Sequence, residues 1–174
     1  MKRHELLVLT GCNVKRFEGY SFRRQLPFSV LSTDERGAKR ASYALKEAFA
    51  LRLMMEMVDD SGLDLDAAKY VAANAWTKIV CASEWSGDDD LWVVFAQERH
   101  AVEGIIGRTL FVTTLAHLAD AIGEHVEPEA QRRIVMVNVS ALSNELRSNA
   151  DEWDIVEGQG AGPVWGELTA DREA

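Results

Sequence analysis

The chain has 174 residues and a mass of 19.4 kDa, enough for one domain or two small ones. Hydrophobic residues make up 47% of it, so a folded core is expected instead of disorder. No apolar run reaches the ~18 residues of a membrane helix, which excludes a membrane-spanning protein. The net charge of −9 is unevenly distributed: residues 1–40 hold nine Lys/Arg and four Asp/Glu (+5), whereas residues 41–174 hold ten and 24 (−14). A basic head on an acidic body is typical of a DNA-binding module joined to a second function.

Two short helices are predicted at the start of the chain. The apolar spacing of residues 4–10 indicates a helix that ends at Gly11, because glycine is favoured where a helix exits through a left-handed residue. Asn13 is placed to cap the second helix by accepting a backbone N–H. This second helix is basic, and we expect it to continue until Pro27 ends it.

A β-hairpin and two longer helices are predicted next. Residues 28–43 alternate between apolar and polar on either side of the turn sequence DERG, which indicates a hairpin. Residues 45–58 are apolar around more than half of a helical surface, and Gly62 ends that helix. A further helix is expected at about 65–84, with Asp64 or Asp66 as its cap.

The polar sequence SGDDD at 86–90 is the clearest boundary in the chain. Beyond it the pattern predicts three short strands and two helices. The strands are expected at 91–96, 108–114 and 132–140, and the helices at 115–125 and 141–153.

This order of elements predicts an α+β fold whose N-terminal part is a winged helix-turn-helix. In that arrangement the first helix packs on the second, and the second presents its polar face to a DNA major groove. We therefore expect a DNA-binding head at 1–85, a small α/β module for dimerisation or effector binding at 90–155, and a tail at 156–174.

Two ordered sets of residues point to a known family. The first set, in the first two helices, is Leu9, Thr10, Gly11, Val14 and Phe17. The second, at the exit of the hairpin and in the helix after it, is Arg40, Tyr43, Glu47, Ala48 and Leu51. Together with SGLDLDAAKYVA at 61–72, they resemble the MerR-type DNA-binding domain over about residues 5–75. The resemblance implies a winged helix-turn-helix fold, binding to double-stranded DNA and a role in transcription regulation.

The basic residues of the head are the candidate DNA contacts. Lys15 and Arg16 lie early in the second helix, where side chains reach base edges, and Arg and Lys recognise guanine best. The other cations are expected to hold phosphates, and Tyr20 is equally consistent with packing and with a phosphate contact. For each cation, the alternative is an ordinary solvated face. The full predicted set is Asn13, Lys15, Arg16, Tyr20, Arg23, Arg24, Arg36, Lys39 and Arg40.

Other chemistry is sparse. Cys12 and Cys81 are too few for a disulfide framework and fit buried thiols in a reducing cytosol, so we expect a cytoplasmic protein. The four histidines lack metal-ligand spacing, and no nucleophile or phosphate-loop motif is present. The sequence therefore predicts no enzyme, no metal and no cofactor. Five tryptophans outside the basic residues 1–40 could pack in the core, line a ligand pocket or form an interface: Trp76, Trp85, Trp92, Trp153 and Trp165.

The leading prediction is a sequence-specific DNA-binding regulator that acts as a homodimer held by residues 64–153. A small-molecule effector is not identified by the sequence. The main alternative is a protein–protein adaptor or anti-regulator that keeps the fold without binding DNA. Glu18, at a position that is often basic in the family, and the charge of the body favour that alternative. A small architectural or excisionase-like protein fits the head but not the additional α/β chain.

Overall fold

The computed structural model describes residues 1–29, 43–99, 106–126 and 131–155. Within these ranges the fold is mixed α+β, with six α-helices and a three-stranded antiparallel sheet. The helices are α1 (Arg3–Thr10), α2 (Val14–Phe22), α3 (Leu45–Asp59), α4 (Leu65–Ser83), α5 (Leu118–His125) and α6 (Val139–Glu152). The strands are β1 (Leu91–Arg99), β2 (Ile106–Thr114) and β3 (Gln131–Asn138). These elements confirm the predicted α+β class.

The connection between α1 and α2 forms as the sequence predicts. Gly11 has a φ of +68° and ends α1, and the Asn13 carboxamide accepts a hydrogen bond from the Arg16 backbone N–H at 2.8 Å. Because glycine adopts this left-handed conformation without a Cβ clash, the chain reverses within a few residues. Two short helices are thus joined by a tight, capped turn.

The end of α2 differs from the prediction. The helix stops at Phe22 instead of continuing to Pro27, because Arg24 adopts a left-handed φ of +57°. The Gln25 N–H then donates to the Tyr20 carbonyl at 2.7 Å, and the Arg24 N–H donates to the Ser21 carbonyl at 3.1 Å. This pair of bonds is a Schellman-type helix end, with an arginine where glycine is usual.

The sheet has the order β2-β1-β3, so β1 lies in the centre. In register, Val94 of β1 faces Phe111 of β2 and Met136 of β3. The three strands predicted from the sequence are confirmed, with ends shifted by up to three residues. The helix predicted from residue 115 begins with a 3₁₀ turn, Leu115–His117, before α5.

The inner face of the sheet belongs to one large apolar core. Leu91, Val93 and Phe95 of β1 are fully buried against the helices. Residues of α1, α3, α4 and α6 join the same cluster, so the core continues across the polar sequence at 86–90. The division into two modules stays a prediction.

The outer face of the sheet carries a smaller apolar cluster. Val94 and Phe111 pack there with Val126, and Leu118 and Ile122 of α5 cover them. Since α5 has only eight residues, it covers just part of this face. The α4 helix and the other long helices lie on the opposite side, and they hold the sheet to the part of the chain that carries α2.

The predicted hairpin at 28–43 falls almost wholly on residues 30–42, which lie outside the described residues, as does the predicted tail at 156–174. Within the described ranges, no helix combines the length and the apolar character needed to cross a bilayer.

Candidate nucleic-acid interface

The inward face of α2 is anchored by aromatic packing. Phe17 and Tyr20 are buried, and the Phe17 ring lies edge-on to Tyr43 with ring centroids 6.3 Å apart. Tyr43 in turn contacts Phe28, at 5.9 Å between centroids. The Arg3 guanidinium lies over the Phe17 ring, 5.1 Å from its centroid. Because this face is fixed, the opposite face of α2 is held towards solvent.

Cations lie at both ends of the outward surface of α2. Lys15 lies in the first turn, and Arg23 and Arg24 follow the last residue of the helix. All three side chains are exposed, and none forms a hydrogen bond or ion pair with another residue in the ranges given above. Phe22, between them, is 90% exposed. The surface therefore combines free positive charge with one aromatic ring in water.

Arg16, by contrast, is engaged inside the molecule. Its Nη1 and Nη2 donate to the two carboxylate oxygens of Asp59, at the end of α3, over 2.6 and 2.8 Å. Its Nε donates to the Tyr20 hydroxyl, and its guanidinium lies over the Tyr20 ring, 5.4 Å from the centroid. Arg16 thus joins α2 to α3, and Tyr20 belongs to the same contact.

The electrostatics of this cluster follow from the hydrogen bonds. The bonds to Asp59 and to Tyr20 favour the charged guanidinium and raise the pKa of Arg16, against a smaller opposing effect of burial. The same contact lowers the pKa of Asp59, because the Arg16 hydrogen bonds stabilise its carboxylate. Both groups are therefore charged at neutral pH.

Glu18 is also paired. Its carboxylate lies 3.0 Å from an Nη atom of Arg3, and both side chains are largely exposed. Exposed pairs of this kind contribute little to stability. Here Arg3 neutralises the negative charge of Glu18 on α2, so the net positive charge of the surface comes from Lys15, Arg23 and Arg24.

Three residues near α2 were missed by the sequence reasoning: Asp59, Phe22 and Lys69. Lys69 of α4 donates from Nζ to the Arg24 carbonyl at 2.8 Å. Together with Arg24 and Ser21 it lines a surface depression of about 650 Å³. The only sequence signal for Asp59 was a carboxylate at the end of a helix, where the helix dipole disfavours it. No sequence signal relates Lys69 to α2.

The remaining predicted site residues are placed as follows. Asn13 is exposed, and its side chain is occupied as the cap of α2. Arg36, Lys39 and Arg40 lie outside the described residues.

The described residues offer little other chemistry. No group of three or more His, Cys, Asp or Glu side chains among them is arranged to hold a metal ion. Cys12 is buried as predicted, and burial raises the pKa of its thiol, which disfavours the reactive thiolate. The prediction of a buried thiol is wrong for Cys81, which is exposed. Trp85 and Trp153 are exposed, whereas Trp76 packs edge-on against Phe49 at 5.9 Å between centroids.

The chain matches no protein-family model and no curated protein. The resemblance to the MerR-type domain therefore stays a prediction from the residues.

Proposed function

We propose that this protein is a sequence-specific DNA-binding transcriptional regulator of MerR-like type that binds as a dimer. One observation carries the proposal: α2 is capped by Asn13 and anchored on its inward face, and its outward surface presents Lys15, Arg23 and Arg24, which have no partner among the residues that the structure describes. A short helix that follows another through a tight, capped turn and is anchored on one face is the element that helix-turn-helix proteins place in the major groove.

Each cation has a distinct role in the proposal. Lys15 lies in the first turn of α2, the part of a recognition helix that contacts base edges. Arg23 and Arg24 follow the helix, where contacts to phosphates fix the register on DNA. Lys69 adds a fourth positive charge beside Arg24. Contacts to one half-site give modest specificity, which is why the proposal includes a dimer on two half-sites.

The acidic body shapes the affinity. Residues 41–174 hold ten Lys/Arg against 24 Asp/Glu, and this negative charge repels a duplex. We therefore expect weak binding to non-specific DNA, with affinity concentrated on sites that α2 fits.

The adaptor alternative is supported by a different feature of α2. Phe22 is 90% exposed, and an aromatic side chain in water beside charged residues is typical of a protein–protein contact. Under this alternative Arg23 and Arg24 meet an acidic protein partner instead of phosphates.

Selection of bound sequences from a random duplex library, with purified full-length protein, tests the proposal. We expect a palindromic sequence, which reports base recognition and dimer symmetry together. Lys15→Ala is expected to weaken recovery, and Lys78→Ala is the matched control, because Lys78 is exposed on α4 nine residues beyond Lys69, about 13 Å along the helix. If no sequence is enriched and the protein has no DNA affinity at low salt, the proposal is contradicted and the adaptor alternative is favoured.

A further inference from the structure

The hydrogen bonds of Arg16 restrict what its side chain can offer to a ligand. A guanidinium has five N–H donors in a planar fork, and a bidentate contact to guanine or phosphate uses two parallel ones. One parallel pair, formed by Nη1 and Nη2, donates to the Asp59 carboxylate. The other parallel pair includes Nε, which donates to the Tyr20 hydroxyl. Arg16 can therefore give only single hydrogen bonds to DNA while these contacts persist.

Asp59 is in an unfavourable place apart from this contact. It is the last residue of α3 and is followed by Asp60, and negative charge at a helix C-terminus opposes the helix dipole. Arg16 supplies the compensating cation from the neighbouring helix. Without that contact, the carboxylate would be a negative charge beside the very surface proposed to meet DNA.

The pair is also accessible enough to exchange. The side chain of Arg16 is 25% exposed and that of Asp59 is 48% exposed. Ion pairs with this degree of exposure are weak compared with buried ones, since water and salt screen them. A phosphate or a guanine edge presented by a duplex offers Arg16 acceptors of the same geometry as the carboxylate.

We infer that Asp59 is a positioning residue that competes internally with DNA for the Arg16 guanidinium. The inference rests on the proposed function and adds a residue of α3 that sets its affinity. In the free protein the carboxylate holds Arg16, and in the complex a DNA acceptor replaces one or both of its hydrogen bonds. Poor sites offer Arg16 a phosphate but no better acceptor, and there the pair with Asp59 stays intact, so Asp59 lowers affinity in general and sharpens the preference between sites.

The test compares Asp59→Asn with Asp60→Asn. Both changes remove one negative charge from the same helix end, but only Asp59 bonds Arg16, and the Asp60 side chain has no hydrogen bond or ion pair among the described residues. Binding of full-length protein to a fluorescein-labelled random-sequence duplex is measured over a series of salt concentrations. We expect Asp59→Asn to bind about two- to fivefold more tightly and to steepen the log–log salt dependence by about one unit. Asp60→Asn is expected to give a smaller gain with an unchanged slope.

The variants Arg16→Ala and Asp59→Asn/Arg16→Ala complete a double-mutant cycle. If Asp59 acts through Arg16, its substitution gives, once Arg16 is absent, only the smaller net-charge gain expected of Asp60→Asn. An equal gain in both backgrounds, or equal gains from Asp59→Asn and Asp60→Asn, would reduce the effect to net charge and overturn the inference. So would a wild type that binds DNA while a folded Asp59→Asn binds no better. Absence of DNA binding by all the folded proteins at low salt is a different outcome, which overturns the proposed function itself and the inference with it.

Discussion

Apart from Lys15, the charged residues in the first half of α2 are used differently from those that follow its last turn. In the first half, Arg16 is bonded to Asp59 and Glu18 to Arg3, so side-chain charge holds the helix against the rest of the molecule. In the second half and its exit, Phe22, Arg23 and Arg24 are exposed. Position in the fold, more than residue type, therefore decides whether an arginine is bonded within the molecule or faces solvent.

The largest expected effect separates two phenylalanines of this helix. Phe17 is buried and Phe22 is 90% exposed. Phe17→Ala is expected to lower the free energy of unfolding by about 3–5 kcal/mol, because it leaves a cavity under α2. Phe22→Ala is expected to change it by less than ~0.5 kcal/mol. Urea unfolding of both variants makes the comparison, and similar losses in both would contradict the described packing.

A second contrast concerns DNA affinity. Lys15→Ala is expected to cost about 1–3 kcal/mol of binding free energy on a selected site and to relax preference at one base pair. Arg23→Ala is expected to weaken all sequences alike and to reduce the salt slope by about one unit. Titration of a selected and a random duplex at two salt concentrations distinguishes the two. If both substitutions weaken all sequences equally, Lys15 does not contact bases.

Removing the N-terminal cap of α2 is expected to have a smaller effect on stability. Asn13→Ala removes the side-chain acceptor of the Arg16 backbone N–H and is expected to lower the free energy of unfolding by about 1 kcal/mol. Ser21→Ala is the control, because Ser21 is exposed near the other end of α2 and its side chain has no hydrogen bond to any residue that the structure describes. Thermal unfolding measures both, and an unchanged Tm for Asn13→Ala would contradict the capping role.

The smallest expected effect is the pH dependence of the Arg16–Asp59 pair. The pKa of Asp59 is lower in the folded chain than in the unfolded chain, so the pair stabilises the fold above the unfolded-state pKa of about 4. This stabilisation is lost as the pH falls through the lower, folded-state pKa. Because the pair is partly exposed, we expect it to contribute less than ~1 kcal/mol. Urea unfolding of wild type and Asp59→Asn should therefore converge at acid pH, and a constant difference across pH would argue against the pair.

Local features of this fold could be predicted from the sequence. The exit of α1 at Gly11, the cap at Asn13 and the three strands follow from residue types and apolar spacing within a few positions. Such signals act over one helical turn or one strand, which is why they can be deduced without tertiary contacts.

The features that could not be predicted depend on contacts between segments distant in sequence. The Arg16–Asp59 pair joins residues 43 apart in sequence, and Lys69 bonds a carbonyl 45 residues away. The early end of α2 depends on a left-handed arginine, a conformation that glycine usually supplies. Likewise, the polar sequence at 86–90 predicted a boundary, whereas α3, α4 and α6 share one apolar core with β1. None of these features has a periodic pattern that sequence reasoning could detect.

The central claim is that Lys15, Arg23 and Arg24, the exposed cations around α2, bind DNA, and one titration addresses it most directly. Full-length wild type and the triple variant Lys15→Ala/Arg23→Ala/Arg24→Ala are titrated against a duplex at low salt, with circular dichroism to establish that both are folded. The proposal predicts measurable wild-type binding that weakens steeply with salt and is abolished in the triple variant. A folded wild type without affinity for the duplex, or a triple variant that binds as tightly as wild type, would contradict it.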